Sequence, residues 1–314
     1  MKKTAYIFPG QGSQIVGMGK DFFERFKEAK NVYKNADDVL GCSISDICFN
    51  GDAEKLNTTK NTQPAILTTS LAILEVLKSR FSEAISATAG HSLGEYGSLY
   101  LAEVLPLETV IKITSERAKL MNEAAESTEG GMAAVLGLTE ENVLKGLDEL
   151  SREGIISVAN YNCPGQTVIT GEKKLIEKST EIFKNLGAKR VVPLAVSGAF
   201  HSGLMGSAAD KFAETIKDIP FSDAKIPVYE NIDGVKILSG AELKQRLPKQ
   251  ICSSVMWTQT VENMIKDGIN TFVEIGSGKV LSGLVKKINQ EVKIYNINSI
   301  ETLESTIKEL KSGE

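Results

Sequence analysis

Residues Ala89 to Ser98 read AGHSLGEYGS and carry the pattern G-x-S-x-G from Gly90 to Gly94. The run before it, around Ile85–Ala89, predicts a short strand, and SLGEYGSLYLAE after it predicts a helix that stops near Pro106. Strand, sharp turn and helix is the setting in which an α/β protein lifts a serine hydroxyl onto the top of its sheet. The spacing leaves a second reading open, a glycine-rich turn in which Ser92 only caps the helix. Under the first reading, Gly90 and Gly94 are needed because a side chain there would obstruct the close approach of turn and strand. Ser92 then stands at a helix N-terminus, where free N–H groups and the helix dipole favour a developing oxyanion.

A serine hydroxyl is a weak nucleophile at neutral pH unless a base removes its proton, and histidine is the usual base. The chain has two histidines. His91 adjoins Ser92; neighbours at a sharp turn do not share a face, so it is expected to pack or hydrogen-bond and hold the turn. His201, in VSGAFHSG, follows a predicted strand and precedes a helix, where α/β folds carry functional loops. The bland alternative is a surface histidine. Two histidines without an H-E-x-x-H pattern argue against a catalytic metal site.

On the helix predicted from Leu107 to Ala125, the residues Val110, Ile113, Leu120, Met121 and Ala124 form an apolar stripe, and Arg117 falls in its middle. Lys112, Glu116, Lys119 and Glu123 take the solvated face. A guanidinium turned inward is costly unless an anion meets it. That anion is either an internal Asp or Glu, or a substrate carboxylate gripped by two parallel hydrogen bonds. Near the start of the chain, PGQGSQIVGMG lacks both the G-x-G-x-x-G register and a G-K-[ST] ending, which disfavours a nucleotide loop. It follows a predicted strand, Thr4–Phe8, so Gln11 at its apex is placed to donate an N–H to an oxyanion, or the stretch is an ordinary β-turn.

The chain of 314 residues is long enough for one large α/β domain with a smaller insert. From Gly130 the texture changes to GMAAVLGL, TEENVLKGLDELSREG, IISVANYN, QTVITG, EKKLIEKSTEIFKNLG and KRVVPLAV, which spell β-α-β-β-α-β. This is a split βαβ, or ferredoxin-like, arrangement. The expected division is a large α/β domain over 1–128 and 198–314, with the small domain at 129–197 between its parts. Cys42, Cys48, Cys163 and Cys252 lie far apart with no C-x-x-C pair, so neither a disulfide scaffold nor a zinc site is indicated and a reducing cytoplasm is expected. A net charge of -4, with both signs interspersed, gives no footprint for nucleic acid or anionic lipid. The opening MKKTAYIF is read as a strand rather than a secretory leader, because Pro9 and Gly10 cut it short. No apolar run approaches the roughly 18 residues of a membrane-spanning helix.

Eight stretches occur in order along the chain: FPGQGSQ, NTQPAIL, GHSLGEY, ERAKLM, NYNCPGQ, GAFHS, KQICSSVMW and EIGSGKVLSGL. Together they resemble, essentially end to end, the malonyl-CoA:acyl-carrier-protein transacylases of fatty-acid synthesis. The resemblance implies a hydrolase-like α/β domain with a parallel sheet core and a ferredoxin-like insert. It implies that Ser92 is the acylated nucleophile and His201 its base, that Gln11 and the N–H of Leu93 form the oxyanion hole, and that Arg117 holds the malonyl carboxylate. This family has no triad acid, and the carbonyl of Gln250 is expected to orient the histidine instead. Phe200, just before the histidine, would crowd an α-branch and so favour malonyl over methylmalonyl. Cys163, Ser254 and Ser277 depart from the serine, proline and proline common in the family, which bears on loop stiffness.

The implied partners are malonyl-CoA and the phosphopantetheine arm of acyl carrier protein, exchanged by a ping-pong mechanism without a cofactor. A cytoplasmic monomer is the expected state. An acidic carrier calls for a cationic patch near the cleft, for which Lys189–Arg190 and Lys286–Lys287 are candidates. Two other readings remain at this point: a serine esterase or thioesterase with the same pair, and a non-catalytic carrier-binding module.

Overall fold

A computed structural model describes residues 2–312. In chain order its strands are β1 (Thr4–Phe8), β2 (Ile85–Gly90), β3 (Gly130–Leu136), β4 (Ile156–Cys163), β5 (Gln166–Glu172), β6 (Arg190–Pro193), β7 (Val228–Tyr229), β8 (Lys236–Ile237), β9 (Thr271–Ile275) and β10 (Lys293–Ile297). Six of them form one sheet in the order β10-β9-β1-β2-β7-β8, parallel except for the edge strand β8. The chain is thus a mixed α/β protein built on a mainly parallel sheet.

The central strand β1 is buried along its whole length, as a parallel strand covered on both faces must be. Alternation sends Tyr6 and Phe8 to one face, into a core with the helices Thr59–Arg80 and Leu107–Glu126. Ala5 and Ile7 go to the other, with Ala87 and Ala89 of β2 and the helices Trp257–Lys266 and Val280–Ile288. The helix Thr59–Arg80 is buried almost all round, so it runs through the core rather than over it.

The other four strands form an antiparallel sheet in the order β4-β5-β3-β6, with the helices Glu140–Ser151 and Lys173–Asn185 in the two crossovers. Alternation again divides labour. Ala133 and Val135 of β3 pack with Leu147, Leu150 and Phe183 of those helices, while Met132 and Ala134 face a cleft between the two sheets.

Local departures from the expected elements have local causes. The strand expected to run through KRVVPLAV ends at Pro193; the Leu194 N–H still donates to Met132 O at 2.9 Å, and Leu194–Val196 then turn into the wall of the cleft. KIPVYENI shrinks to β7, because the Glu230 carboxylate accepts the N–H groups of Ile232 and Asp233 and folds the chain into a turn. The helix after Ala89 begins as a 3₁₀ turn, Ser92–Gly94, before the α-helix Glu95–Leu101. What places the site is the pairing of Phe8 with Gly90. The turns that follow β1 and β2 emerge side by side at the carboxyl ends of parallel strands, and the His91 N–H donates to Phe8 O at 3.0 Å.

Candidate active site

The turn at Ser92 is tight enough to dictate its glycines. A methyl group on Gly90 would lie 2.0 Å from the Gly94 backbone, and one on Gly94 would lie 2.1 Å from the Phe8 carbonyl oxygen. Ser92 itself sits in the left-handed region at φ 52°. Such a conformation costs a non-glycine residue roughly 1–3 kcal/mol and persists only when the surroundings hold it. Here the Ser92 N–H donates to Asn231 Oδ1 at 2.6 Å, and Asn231 Nδ2 donates to Gly90 O at 2.7 Å. Ser92 is no simple N-cap, since no side-chain capping bond closes the 3₁₀ turn it begins or the helix that follows.

His201, 109 residues further on, meets it. Ser92 Oγ and His201 Nε2 are 2.8 Å apart. His201 Nδ1 lies 3.0 Å from the carbonyls of both Gln250 and Ser253, which can only accept, so the proton belongs on Nδ1 and Nε2 is left bare toward the serine. His201 is also left-handed, at φ 59°. Burial, then the nearby Arg117 charge, push its pKa down to about 3, so the imidazole is neutral at any ordinary pH. Among the described residues no carboxylate bonds to it. His91 bonds elsewhere, with Nε2 2.9 Å from Asn162 Oδ1 and its ring 5.6 Å from that of Trp257.

Arg117 is fully buried and makes no ion pair among the described residues. One terminal nitrogen donates to Ser92 Oγ at 3.0 Å and to Gln250 Oε1 at 2.8 Å; the other donates to Gln63 Oε1 at 2.5 Å. Its partners are neutral oxygens, with the Tyr96 ring 5.6 Å away and the Nε unpartnered. The nearby carboxyl, Glu95, accepts from Gln250 Nε2 and from the Asn231 N–H. Burial, then the charge of Glu230, raise its pKa to about 8; its charge acts on Arg117, but the two make no ion pair. An internal carboxylate partner for Arg117, one of the two alternatives the sequence left open, is thus not found among the described residues.

A cleft of about 560 Å³ opens over this pair. Gln11, Ser92, Leu93, Phe200 and His201 line one side, and Met132, Ala134, Asn160 and Val168 the other. Arg117 does not line it; it lies behind Gln63 and Met121, which do. Of the basic pairs, Lys287 reaches a cleft residue, donating to Gln166 Oε1 at 3.2 Å, whereas Lys189 and Arg190 lie at β6, outside the cleft lining. Ser254 and Ser277 are tied down by their hydroxyls, to Val158 O at 2.6 Å and Ser13 O at 2.7 Å. Among the described residues no cluster could hold a metal ion, and no helix is long and apolar enough to cross a membrane.

Four participants escape a reading of the sequence: the side chains of Gln63, Glu95 and Asn231, and the Ser253 carbonyl. Gln63 carries a usable signal, an amide inside a helix that is otherwise nearly all core. The Gln250 side chain also does more than its expected backbone role. It bridges Arg117, the Ser92 carbonyl and Glu95.

Residues 5–312 match the acyl transferase domain family. The chain is 44% identical to the malonyl CoA-acyl carrier protein transacylase of Bacillus subtilis over 312 residues, 99% of this chain and 98% of that protein. The crystal structure of the malonyl CoA-acyl carrier protein transacylase from Clostridium perfringens superposes with a TM-score of 0.93 at 40% identity, covering 99% of this chain and 98% of that one. A malonyl-transacylase solved in complex with a type II PKS acyl-carrier protein gives a TM-score of 0.95 at 38% identity, covering 98% of this chain and all of that one. With its serine turn, its buried arginine and full-length matches of this kind, the chain belongs to the acyl transferase family, alongside the malonyl CoA-acyl carrier protein transacylases.

Proposed function

We propose that this protein transfers the malonyl group from malonyl-CoA to the phosphopantetheine thiol of acyl carrier protein, through a malonyl-serine intermediate, and so supplies fatty-acid synthesis. The observation that carries the reading is a serine hydroxyl held between a neutral imidazole and a buried cation that makes no ion pair among the described residues. His201 Nε2 takes the Ser92 proton as Oγ attacks the thioester carbonyl. The oxyanion is received by N–H groups of Gln11 and Leu93. On collapse the C–S bond breaks, and the proton on Nε2 passes to the departing CoA sulfur. The carrier thiol then gives its proton to His201, attacks the acyl-serine, and Ser92 recovers its hydrogen.

Arg117 supplies selectivity. Its guanidinium takes the distal carboxylate of the malonyl chain once the Gln63 amide gives way, and in so dry a site this charge pair is worth far more than in water. Gln250 O holds the His201 tautomer, and Phe200 crowds an α-branch. The division of labour follows a hydrolase-like domain, 1–128 with 198–314, and a ferredoxin-like insert, 129–197, that closes the cleft. The protein acts as a cytoplasmic monomer and requires no cofactor or metal.

Intact-mass measurement after mixing with malonyl-CoA tests this reading. One malonyl adduct is expected on the wild-type chain, none on Ser92→Ala, and discharge of the adduct on adding phosphopantetheinylated carrier. Free malonate as the main product, with or without carrier, would mark a hydrolase instead; no adduct at all would leave only a carrier-binding module.

A further inference from the structure

We propose that Asn231 is a positioning residue for acyl transfer, whose carboxamide clamps the backbone of the nucleophile turn on both sides of His91 and holds Ser92 in the conformation that aims Oγ at His201. The inference rests on the reading of Ser92 and His201 as the reacting pair.

Asn231 is fully buried, and each of its polar groups is used. Oδ1 accepts the Ser92 N–H at 2.6 Å, Nδ2 donates to Gly90 O at 2.7 Å, the backbone N–H donates to Glu95 Oε2 at 3.1 Å, and the backbone C=O accepts the Met256 N–H at 2.8 Å. The place in the sheet explains the arrangement. β2 pairs with β7 up to Ala89 opposite Tyr229, and there the ladder stops. Two residues beyond, the Asn231 side chain supplies the donor and acceptor that a continuing strand would have offered. It does so where the backbone must leave the extended region for the left-handed one.

The clamp is itself braced by its neighbours. The Glu230 carboxylate accepts the N–H groups of Ile232 at 2.7 Å and Asp233 at 2.9 Å, and Arg246 at 2.9 Å; Arg246 also bridges to Asp233. One consequence concerns the oxyanion. The Ser92 N–H is already committed to Asn231, which leaves that role to donors such as Gln11 and Leu93.

The test compares the full-length wild-type chain, Asn231→Ala and Asn231→Asp, following malonyl adduct formation on the millisecond-to-second scale by quenched flow from pH 5 to 9. A misaimed nucleophile lowers the maximal acylation rate without weakening substrate binding. For Asn231→Ala the expected fall is about 10- to 100-fold, with the half-saturating malonyl-CoA concentration little changed. Asn231→Asp provides the reading that a merely structural role would not move. A protonated carboxyl can accept from Ser92 and still donate to Gly90 O, but a carboxylate cannot donate. The acid at this position would face Glu95 and Glu230, with Arg117, His201 and Arg246 in the same network. Its acylation rate, taken as a ratio to wild type at each pH so that the titration of Glu95 common to both cancels, is expected to climb toward the wild-type value as pH falls. A folded Asn231→Ala that acylates like wild type, or an Asn231→Asp whose pH profile matches wild type, overturns the proposal. Because Asp is isosteric, that arm decides even where the alanine variant does not fold. A wild-type chain that forms no adduct overturns the acyl-transfer reading and this inference with it; a wild-type adduct with unaffected variants overturns this inference alone.

Discussion

On the wall of the cleft that carries Ser92, polar side chains hold one another in place. Ser92, His201, Arg117, Gln63, Gln250, Glu95 and Asn231 share hydrogen bonds of 2.5–3.1 Å, and the two central residues are both left-handed. The opposite wall, on an antiparallel sheet whose other face is an ordinary core, is led by the apolar side chains of Met132, Ala134 and Val168, with the amide of Asn160 among them. The difference separates two tasks. Chemistry at a thioester carbonyl tolerates little displacement, so its groups are over-determined; accommodating an acyl chain asks for shape and dryness, which apolar packing supplies. If that division is right, equal insults to the two walls have unequal results.

The largest effect is expected at His201. His201→Ala should lower adduct formation by about 10²- to 10⁴-fold, the usual worth of a positioned general base. The wild-type rate should also show no inflection near the ordinary histidine pKa, because burial and Arg117 hold this imidazole down to about 3. The same depression has a consequence for stability. The folded pKa is below that of the unfolded chain, so the contribution is fully present above about pH 6.5 and is lost as pH falls toward 3. His201→Ala should flatten that part of a plot of melting temperature against pH. A clear step in the wild-type acylation rate near pH 6.5 would show an imidazole that protonates freely, and the picture of a dry, fixed pair would fail.

Arg117 comes next. It donates to neutral oxygens, and no carboxylate forms an ion pair with it among the described residues. Arg117→Ala should therefore reduce the preference for malonyl-CoA over acetyl-CoA by roughly 2–5 kcal/mol, the range for truncating one member of a buried charge pair. Competition between the two thioesters, read as the masses of the two adducts, gives the ratio directly. An unchanged ratio would remove the arginine from substrate recognition.

How much of this wall was legible in the sequence depends on chain distance. The elbow is local: strand, two glycines and serine fall within ten residues, and the glycines are required by clashes with Gly94 and Phe8. Arg117 announced itself as a charge within an apolar stripe. His201 stood out because the chain offers only two histidines. Asn231 gave no sign, since an asparagine beyond a short strand is an ordinary turn residue. Its partner Ser92 is 139 positions away, and only the register of β2 on β7 brings them together. The fold follows the same logic. Alternation and helical periodicity revealed the βαββαβ order, but the end of β6 at Pro193 and the brevity of β7 are set by partners that periodicity does not report.

The smallest effect is expected from the apolar wall, where the comparison can be made sharpest. Val168 sits on β5 facing the cleft, nearly buried. Val168→Ala removes two methyl groups without leaving any polar atom unpaired, so it should lower unfolding stability by about 1–3 kcal/mol. Malonyl loading should change by less than about threefold, because no hydrogen bond to Ser92, His201 or Arg117 passes through this side chain. Denaturant melts and adduct formation measured on the same preparation separate the two quantities. If Val168→Ala instead slowed loading as much as Arg117→Ala while remaining folded, the apolar wall would be setting the geometry of the reacting groups. The contrast between a fixed chemical wall and an accommodating one would then have to be abandoned.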